Sequence, residues 1–184
     1  TPEELELIGE SLSVNYGIFE EKIKPDLGFK SSGGARWETG DHSALGFLAA
    51  MNYDEQWLST VAQRTDYIVS GGELAPENDY TYNTTVRDIS LSGFLTLGAE
   101  IGENNRLTYN LMLLRSTTDG TQRQQGINKD AQGGEVQFTE LEWAERQLLV
   151  NQILGEHLFP ALMDLQLNWE YTLSTARSYE PDTR

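Results

Sequence analysis

The sequence predicts an all-β protein whose strands follow one another as an antiparallel, up-and-down meander. Apolar and polar residues alternate with period 2 in about seven segments, which is typical of strands with one apolar face. Short turn-forming segments alternate with long polar ones along the chain. No run approaches the roughly 18 to 20 apolar residues of a transmembrane helix. Nothing marks a domain boundary, so residues 1–184 are predicted to form a single segment.

Each predicted strand has a set of apolar residues at every second position, which places these residues on one face of the strand. The last segment alternates most clearly, with Gln166, Asn168, Glu170, Thr172 and Ser174 opposite the apolar residues. The sixth is imperfect, because Asn151 shares the apolar face. The apolar positions are Leu12, Val14, Tyr16 and Ile18; then Leu27, Phe29, Ala35 and Trp37; then Leu45, Phe47, Ala49, Met51 and Tyr53; then Ile89, Leu91, Leu95, Leu97, Ala99 and Ile101; then Leu107, Tyr109, Leu111 and Leu113; then Leu149, Ile153 and Gly155; and finally Leu165, Leu167, Trp169, Tyr171 and Leu173.

The connections between these strands differ in length by side. ETGDH (38–42), GENN (102–105) and GEHLFPA (155–161) are short and contain the Gly, Asn, Asp and Pro of tight turns. Long polar segments, about 54–86 and 116–145, are predicted to be loops, although residues 54–69 could form a helical turn or extend a hairpin. Such loops are uncommon in compact soluble domains and common on one side of outer-membrane barrels.

The apolar face therefore has two interpretations. One is the core side of a soluble antiparallel sandwich or barrel. The other is the lipid side of a larger transmembrane β-barrel with short periplasmic turns and long extracellular loops. Three observations favour the lipid interpretation: the residues opposite the apolar face are often small and uncharged, the long loops all lie on one side, and aromatic residues lie near strand ends. Such aromatic residues are typical of the girdle at a membrane interface, although Trp169 lies mid-strand and does not fit it. The predicted aromatic girdle consists of Trp37, Tyr53 and Tyr109.

Composition excludes several classes of function. The chain has 13 basic and 29 acidic residues, a formal net charge of -16, which argues against nucleic-acid binding and against docking on an anionic membrane surface. It contains no cysteine, which excludes disulfides, thiolate metal sites and a cysteine nucleophile.

No catalytic, cofactor-binding or metal-binding residues are predicted, and the chain is not expected to be an enzyme. The two histidines, His42 and His157, are both predicted to lie in short turns beside an acid, with too few ligands for a metal. The acids of the first long segment could collect a cation, but their spacing matches no calcium loop, and simple solvation is the alternative. These acids are Asp54, Glu55, Asp66, Glu73, Glu77 and Asp79.

Two further sets of residues are candidates for binding. If the long segments lie at a barrel mouth, their aromatic side chains are positioned to contact a ligand; these are Trp57, Tyr67, Tyr80 and Tyr82. Residues opposite the apolar face would line a polar lumen. The lumen candidates are Ser92, Thr96, Glu100, Asn168 and Glu170, with Arg115 on or near the same surface.

The last 40 residues resemble a recurring hairpin of TonB-dependent outer-membrane receptors. There, a strand ends in Gly-Glu-His, a Leu-x-Leu-x-Trp strand follows, and an Ala-Arg segment and an acidic Pro-Asp step begin the next external loop. The matching residues here are 155–157, 165–169, 176–177 and 180–182. LSVNYG (12–17) and PDLGFKSSGGARWETGD (25–41) resemble an earlier hairpin of the same barrels.

The resemblance implies a fragment of a transporter in the outer membrane of a Gram-negative bacterium. Such receptors resemble 22-stranded barrels plugged by an N-terminal domain, and they bind and import scarce ligands such as siderophores, cobalamin or glycans. This chain is then expected to be an early barrel piece, with the plug domain and the N-terminal segment that engages the TonB complex outside it. Expected partners are membrane lipid, the plug, the remaining strands and a small-molecule or glycan ligand. A soluble all-β binding module, a porin and an autotransporter translocator remain alternatives.

Overall fold

A computed structural model describes residues 17–129 and 134–181, in which six strands form one antiparallel sheet. Each strand is hydrogen-bonded to the next in sequence, in the order β1-β2-β3-β4-β5-β6, so the predicted all-β meander is confirmed. The strands are β1 (Leu27–Gly40), β2 (Ser43–Ser70), β3 (Glu73–Ile101), β4 (Asn105–Asn128), β5 (Gly134–Phe159) and β6 (Leu165–Tyr179). The first predicted strand falls mostly outside the described residues, and Gly17 and Ile18 lie in no strand.

Three connections at one end of the sheet are short, as predicted. β1 and β2 join at Asp41–His42, with His42 in the left-handed region at a φ of 61°, and β3 and β4 join through Gly102, whose φ is 64°. The third connection differs from the prediction. GEHLF continues β5, and the chain reverses at a short 3-10 helix, Pro160–Leu162, because Pro160 has no N–H to donate to the ladder.

Where the structure describes them, the two long polar segments are mostly strand, so the prediction of long loops was wrong, whereas the alternative that residues 54–69 extend a hairpin is confirmed. β2 and β3 stay paired from the short turns as far as Ser70 and Glu73, where Gly71 and Gly72 form a two-residue turn with positive φ at both positions. β4 and β5 stay paired as far as Asn128 and Gly134. β1 and β6 are shorter and stop opposite Glu55 and Glu145. We call residues 56–70, 73–88, 118–128 and 134–144 the extension.

The sheet is a single layer, and its apolar residues are poorly buried. Among the described residues, the buried apolar side chains are those of Ala44, Tyr80 and Ala144. Large apolar residues are exposed along the strands, including Leu97 at 44% and Leu173 at 54%. A sheet without a second layer needs another partner for its apolar face, either protein or lipid.

Candidate functional site

Paired residues share one face of the sheet, so the register sorts side chains into rows that cross all six strands. The apolar face carries four successive rows without a charged residue, six residues in each and 24 in all. We call these rows the uncharged band. In β1-to-β6 order they are Trp37, Leu45, Ala99, Leu107, Gly155 and Trp169; Ala35, Phe47, Leu97, Tyr109, Ile153 and Tyr171; Gly33, Ala49, Leu95, Leu111, Asn151 and Leu173; and Ser31, Met51, Gly93, Leu113, Leu149 and Thr175.

Aromatic residues lie at the edges of this band. Trp37 and Trp169 occupy its first row, nearest the short turns, and Tyr109 lies in the second. Trp37 stacks on Phe47 with ring centroids 5.6 Å apart. Tyr53 lies one row beyond the other edge, beside Leu91. The three girdle candidates therefore share the apolar face, and Trp169, which did not fit the pattern in the sequence, aligns with Trp37.

Trp169 is held by two neighbours on β5. A Cβ on Gly155 would collide with the indole ring, so the ring covers the glycine backbone. The indole Nε1 donates to Nε2 of His157 at 3.1 Å. Because Nε2 accepts, the neutral ring carries its proton on Nδ1, which donates to Oδ1 of Asn105 at 2.8 Å. His157 thus lies in a strand, not in the predicted turn, and orients a tryptophan.

Asn151 is the strongly polar residue of the uncharged band, and it has a partner. The hydroxyl of Tyr109 donates to its Oδ1 at 2.9 Å. A side-chain amide that is removed from water without a hydrogen-bond partner costs roughly several kcal/mol of folding free energy. The contact therefore makes the irregularity noted in the sixth segment tolerable, because it satisfies the carbonyl oxygen of the side chain.

The opposite face, which we call the mixed face, carries all five lumen candidates. Thr96 begins a chain of hydrogen bonds that crosses four strands: its hydroxyl donates to Asn110 at 2.7 Å, Asn110 donates to Gln152 at 3.0 Å, and Gln152 donates to Glu170 at 2.7 Å. The chain fixes these side chains relative to one another. The chain links Thr96 on β3 to Glu170 on β6 through Asn110 and Gln152, while Ser92 lies farther from the short turns.

Glu100 belongs to a second network, closer to the short turns. Its carboxylate binds Arg36 at 2.6 Å and Arg106 at 3.2 Å, and Arg106 also reaches Glu156 at 3.5 Å. The network lines a hollow of about 820 Å³ that also includes Asn168. These side chains are substantially exposed, so the individual pairs contribute little stability. Their alternating charges instead give this end of the mixed face a strongly polar surface.

Farther from the short turns, the mixed face becomes apolar, which the sequence analysis did not predict. Phe94, Met112 and Val150 form one run across β3 to β5, and Leu114 and Leu148 form the next. Phe94 is 38% exposed and Leu114 42%. The sequence does contain a signal for this surface, because Phe94, Met112 and Leu114 are apolar although they lie opposite the apolar faces of β3 and β4.

Arg115 is also on a different face from the one expected. It lies on the apolar face, in the row of Tyr53 and Leu91, because residues 107, 109, 111, 113 and 115 alternate onto the same side. Its guanidinium binds the carboxylate of Glu145 at 2.6 Å. Arg115 therefore marks the point at which the apolar face becomes charged.

A compact polar cluster lies on the apolar face just beyond this row. The hydroxyl of Tyr53 donates to Glu55 at 2.9 Å, and Arg87 binds the same carboxylate at 2.8 Å. The hydrogen bond from Tyr53, followed by that from Arg87, holds the pKa of Glu55 below its ordinary value of 4.5. The Arg87 guanidinium also lies over the ring of Trp57, 5.2 Å from its centroid. Glu55 therefore links β2 to β3 through its contact with Arg87.

The four ligand-contact candidates lie along the extension and do not form one cluster. Trp57 faces the apolar side beside Arg87, whereas Tyr80 and Tyr82 face the mixed side, with their rings in an edge contact at 6.3 Å. Tyr67 lies beyond a bulge, opposite Pro76, and is 59% exposed. The structure thus brings together only Tyr80 and Tyr82 of this set.

Metal binding has no geometric support in the described part of the chain, where no three His, Asp or Glu side chains form a group that could hold an ion. His42 contacts Glu103 at 3.3 Å, and both side chains are exposed. Within residues 17–129 and 134–181, no helix has the length and hydropathy needed to cross a membrane. The chain matches no protein-family model, no curated protein and no solved structure.

Proposed function

We propose that the chain is part of the membrane-spanning β-barrel of a TonB-dependent outer-membrane receptor. The uncharged band is the observation that carries the membrane assignment. The band itself spans seven residues of each strand, which on β3 are Gly93 to Ala99. On β3 the apolar face stays apolar or glycine for two further residues at each end, from Leu91 to Ile101, a length of 11 residues. A strand that crosses a bilayer at a tilt needs about 9 to 11 residues. A soluble core would bury such residues, but the described chain provides nothing to cover them.

The sidedness of the sheet supports the same proposal. Short turns close one end, and the extension projects from the other, where its 15 residues from 56 to 70 reach roughly 50 Å at about 3.3 Å per residue. Short periplasmic turns and long external segments are typical of outer-membrane barrels. In the proposed orientation the extension lies outside the cell, and the mixed face lines the interior of the barrel.

The apolar part of the mixed face favours a plugged receptor over a porin. A porin lumen is a polar, water-filled channel. Exposed Phe94 and Leu114 in a lumen would instead favour contact with protein, as a plug domain would provide. Further support comes from the Gly-Glu-His and Leu-x-Leu-x-Trp segments, since Trp169 lies over Gly155 and bonds His157. In this proposal the ligand binds externally and passes inward when the plug moves, with no covalent chemistry.

Charge substitution at adjacent positions of β6 tests the membrane assignment. Leu173 lies in the uncharged band and Ser174 on the mixed face, at nearly the same depth. We expect Leu173→Arg to lower the free energy of unfolding by about 2 to 4 kcal/mol in phospholipid vesicles, because an arginine near the midplane faces hydrocarbon. Ser174→Arg is the matched control and should cost less.

The measurement is denaturant unfolding of the intact barrel in vesicles, together with its heat-dependent gel mobility. A cost for Ser174→Arg that equals or exceeds that of Leu173→Arg would contradict the assigned faces. A monodisperse chain with a cooperative melt in plain buffer would contradict the membrane assignment itself and favour the soluble binding module.

A further inference from the structure

The first charged row beyond the uncharged band is cationic. It contains Tyr53, Leu91, Arg115, Gln147 and Arg177 on β2 to β6. At the other end of the sheet, the short turns contain Asp41, His42, Glu103 and Asp164 but no lysine or arginine. The two edges of the band therefore differ in charge, in a chain whose formal net charge is -16.

Arg115 and Arg177 are placed to act together. They lie in one row on β4 and β6, with only β5 between them, so their Cα atoms are roughly 10 Å apart at about 4.8 Å per strand. Two long guanidinium side chains on that spacing can converge on one anion. Gln147, between them, adds an amide donor on the same face.

The two arginines differ in how they are held. Arg115 is anchored by Glu145 at 2.6 Å and remains 45% exposed. Arg177 makes no ion pair or hydrogen bond with any residue that the structure describes. It borders a hollow of about 530 Å³ together with Glu145, Gln147 and Tyr179. The guanidinium of Arg115 is thus held in place by Glu145, and that of Arg177 is available to a ligand.

We infer that Arg115, Gln147 and Arg177 bind the phosphate of an anionic lipid in the leaflet next to the extension. This inference rests on the proposed membrane location. The chain as a whole repels an anionic surface, and Glu55 and Glu145 lie in the next row of the same face. In the row where the uncharged band ends, however, the charges are those of Arg115 and Arg177 alone, and these two side chains would meet the bilayer where headgroups begin. Arginine matches phosphate oxygens with a planar pair of donors, and each basic residue near an anionic surface contributes about 1 kcal/mol, or roughly fivefold in affinity.

The test uses the intact barrel of which this chain is proposed to be part, folded in neutral detergent micelles and titrated with a bisphosphorylated glucosamine lipid or with its dephosphorylated form. We expect the phosphorylated lipid to bind more tightly, with an affinity that falls as salt rises. Arg115→Gln and Arg177→Gln should each weaken binding roughly fivefold, and the double variant roughly 25-fold. Arg123→Gln is the matched control, because Arg123 shares the apolar face but lies eight residues farther along β4.

Equal affinity for the two lipids, or an Arg123→Gln effect as large as that of Arg177→Gln, would overturn the inference. Heat-dependent gel mobility shows whether each variant is folded. A protein that folds in micelles without preferring the phosphorylated lipid contradicts only the lipid site. An intact protein that does not enter micelles or vesicles contradicts the proposed function and the lipid site together.

Discussion

At the scale of single residues, contacts across neighbouring strands explain positions that look irregular in the sequence. Asn151 interrupts an apolar face, yet the Tyr109 hydroxyl bonds its side-chain oxygen. Gly155 seems a weak choice for the middle of a strand, since glycine loses more backbone entropy on folding than other residues. The indole of Trp169 covers it, so the missing side chain is what makes room for the ring.

This contact predicts a large effect from one methyl group. Gly155→Ala should lower the free energy of unfolding by about 1 to 3 kcal/mol, because a Cβ at position 155 collides with the Trp169 ring. Gly93→Ala is the control, since Gly93 lies in the uncharged band with no atom within 4 Å of its added Cβ. Denaturant unfolding of both variants measures the difference. Equal effects would mean that the indole moves aside without cost.

At the scale of strands, alternation predicted the faces but not the lengths. From Leu91 to Ile101, one face is apolar and period 2 is visible in the sequence. In the extension, both faces are polar enough to be solvated, so no alternation distinguishes a strand from a loop. The Gly71-Gly72 pair was the available signal, because two residues with positive φ form a hairpin turn. The misplaced turn after β5 has a similar cause, since Gly155 is a packing glycine, not a turn glycine.

The extension should become less stable in acid at one identifiable contact. Asp79 on β3 accepts hydrogen bonds from Gln63 and Thr65 on β2, at 3.1 and 2.8 Å. These bonds, that from Gln63 foremost, lower the pKa of Asp79 below its ordinary value of 3.8. A carboxyl whose folded pKa is lowered stabilises the folded state at higher pH. Its contribution disappears as the pH falls from about 3.8 through the folded pKa.

Amide hydrogen exchange of the β2–β3 hairpin, followed from pH 6 to pH 3, measures this contribution once the intrinsic pH dependence of exchange is subtracted. We expect protection near residues 63–65 to fall over the acidic end of the range. In Asp79→Asn the fall should disappear, because the amide does not titrate. An unchanged acid profile in that variant would show that other carboxyl groups control the hairpin.

At the scale of the whole molecule, the sheet has two uncovered faces and two unpaired edges in its described part. Free edges and exposed apolar faces promote aggregation in water. In the proposed receptor, closure into a barrel would remove the edges, lipid would cover the apolar face, and protein within the barrel would cover the apolar part of the mixed face. Alternation in the sequence predicted which strand faces are apolar, but the apolar part of the mixed face becomes evident only where residues such as Phe94, Met112 and Val150 align across three strands.

The four tryptophans provide a test of this arrangement across the whole sheet. All lie on the apolar face: Trp37 and Trp169 share the first row of the uncharged band, and Trp57 and Trp143 share a row 12 residues farther along the strands. At about 3.3 Å per residue, the two pairs are roughly 40 Å apart along the strands. We therefore expect lipids brominated on their acyl chains to quench Trp37 and Trp169 in vesicles, and to leave Trp57 and Trp143 largely unquenched. Variants that retain one tryptophan each, with the others replaced by phenylalanine, separate the signals. Equal quenching at all four positions would contradict the membrane boundary assigned at Arg115, whereas quenching at none would favour an apolar face covered by protein.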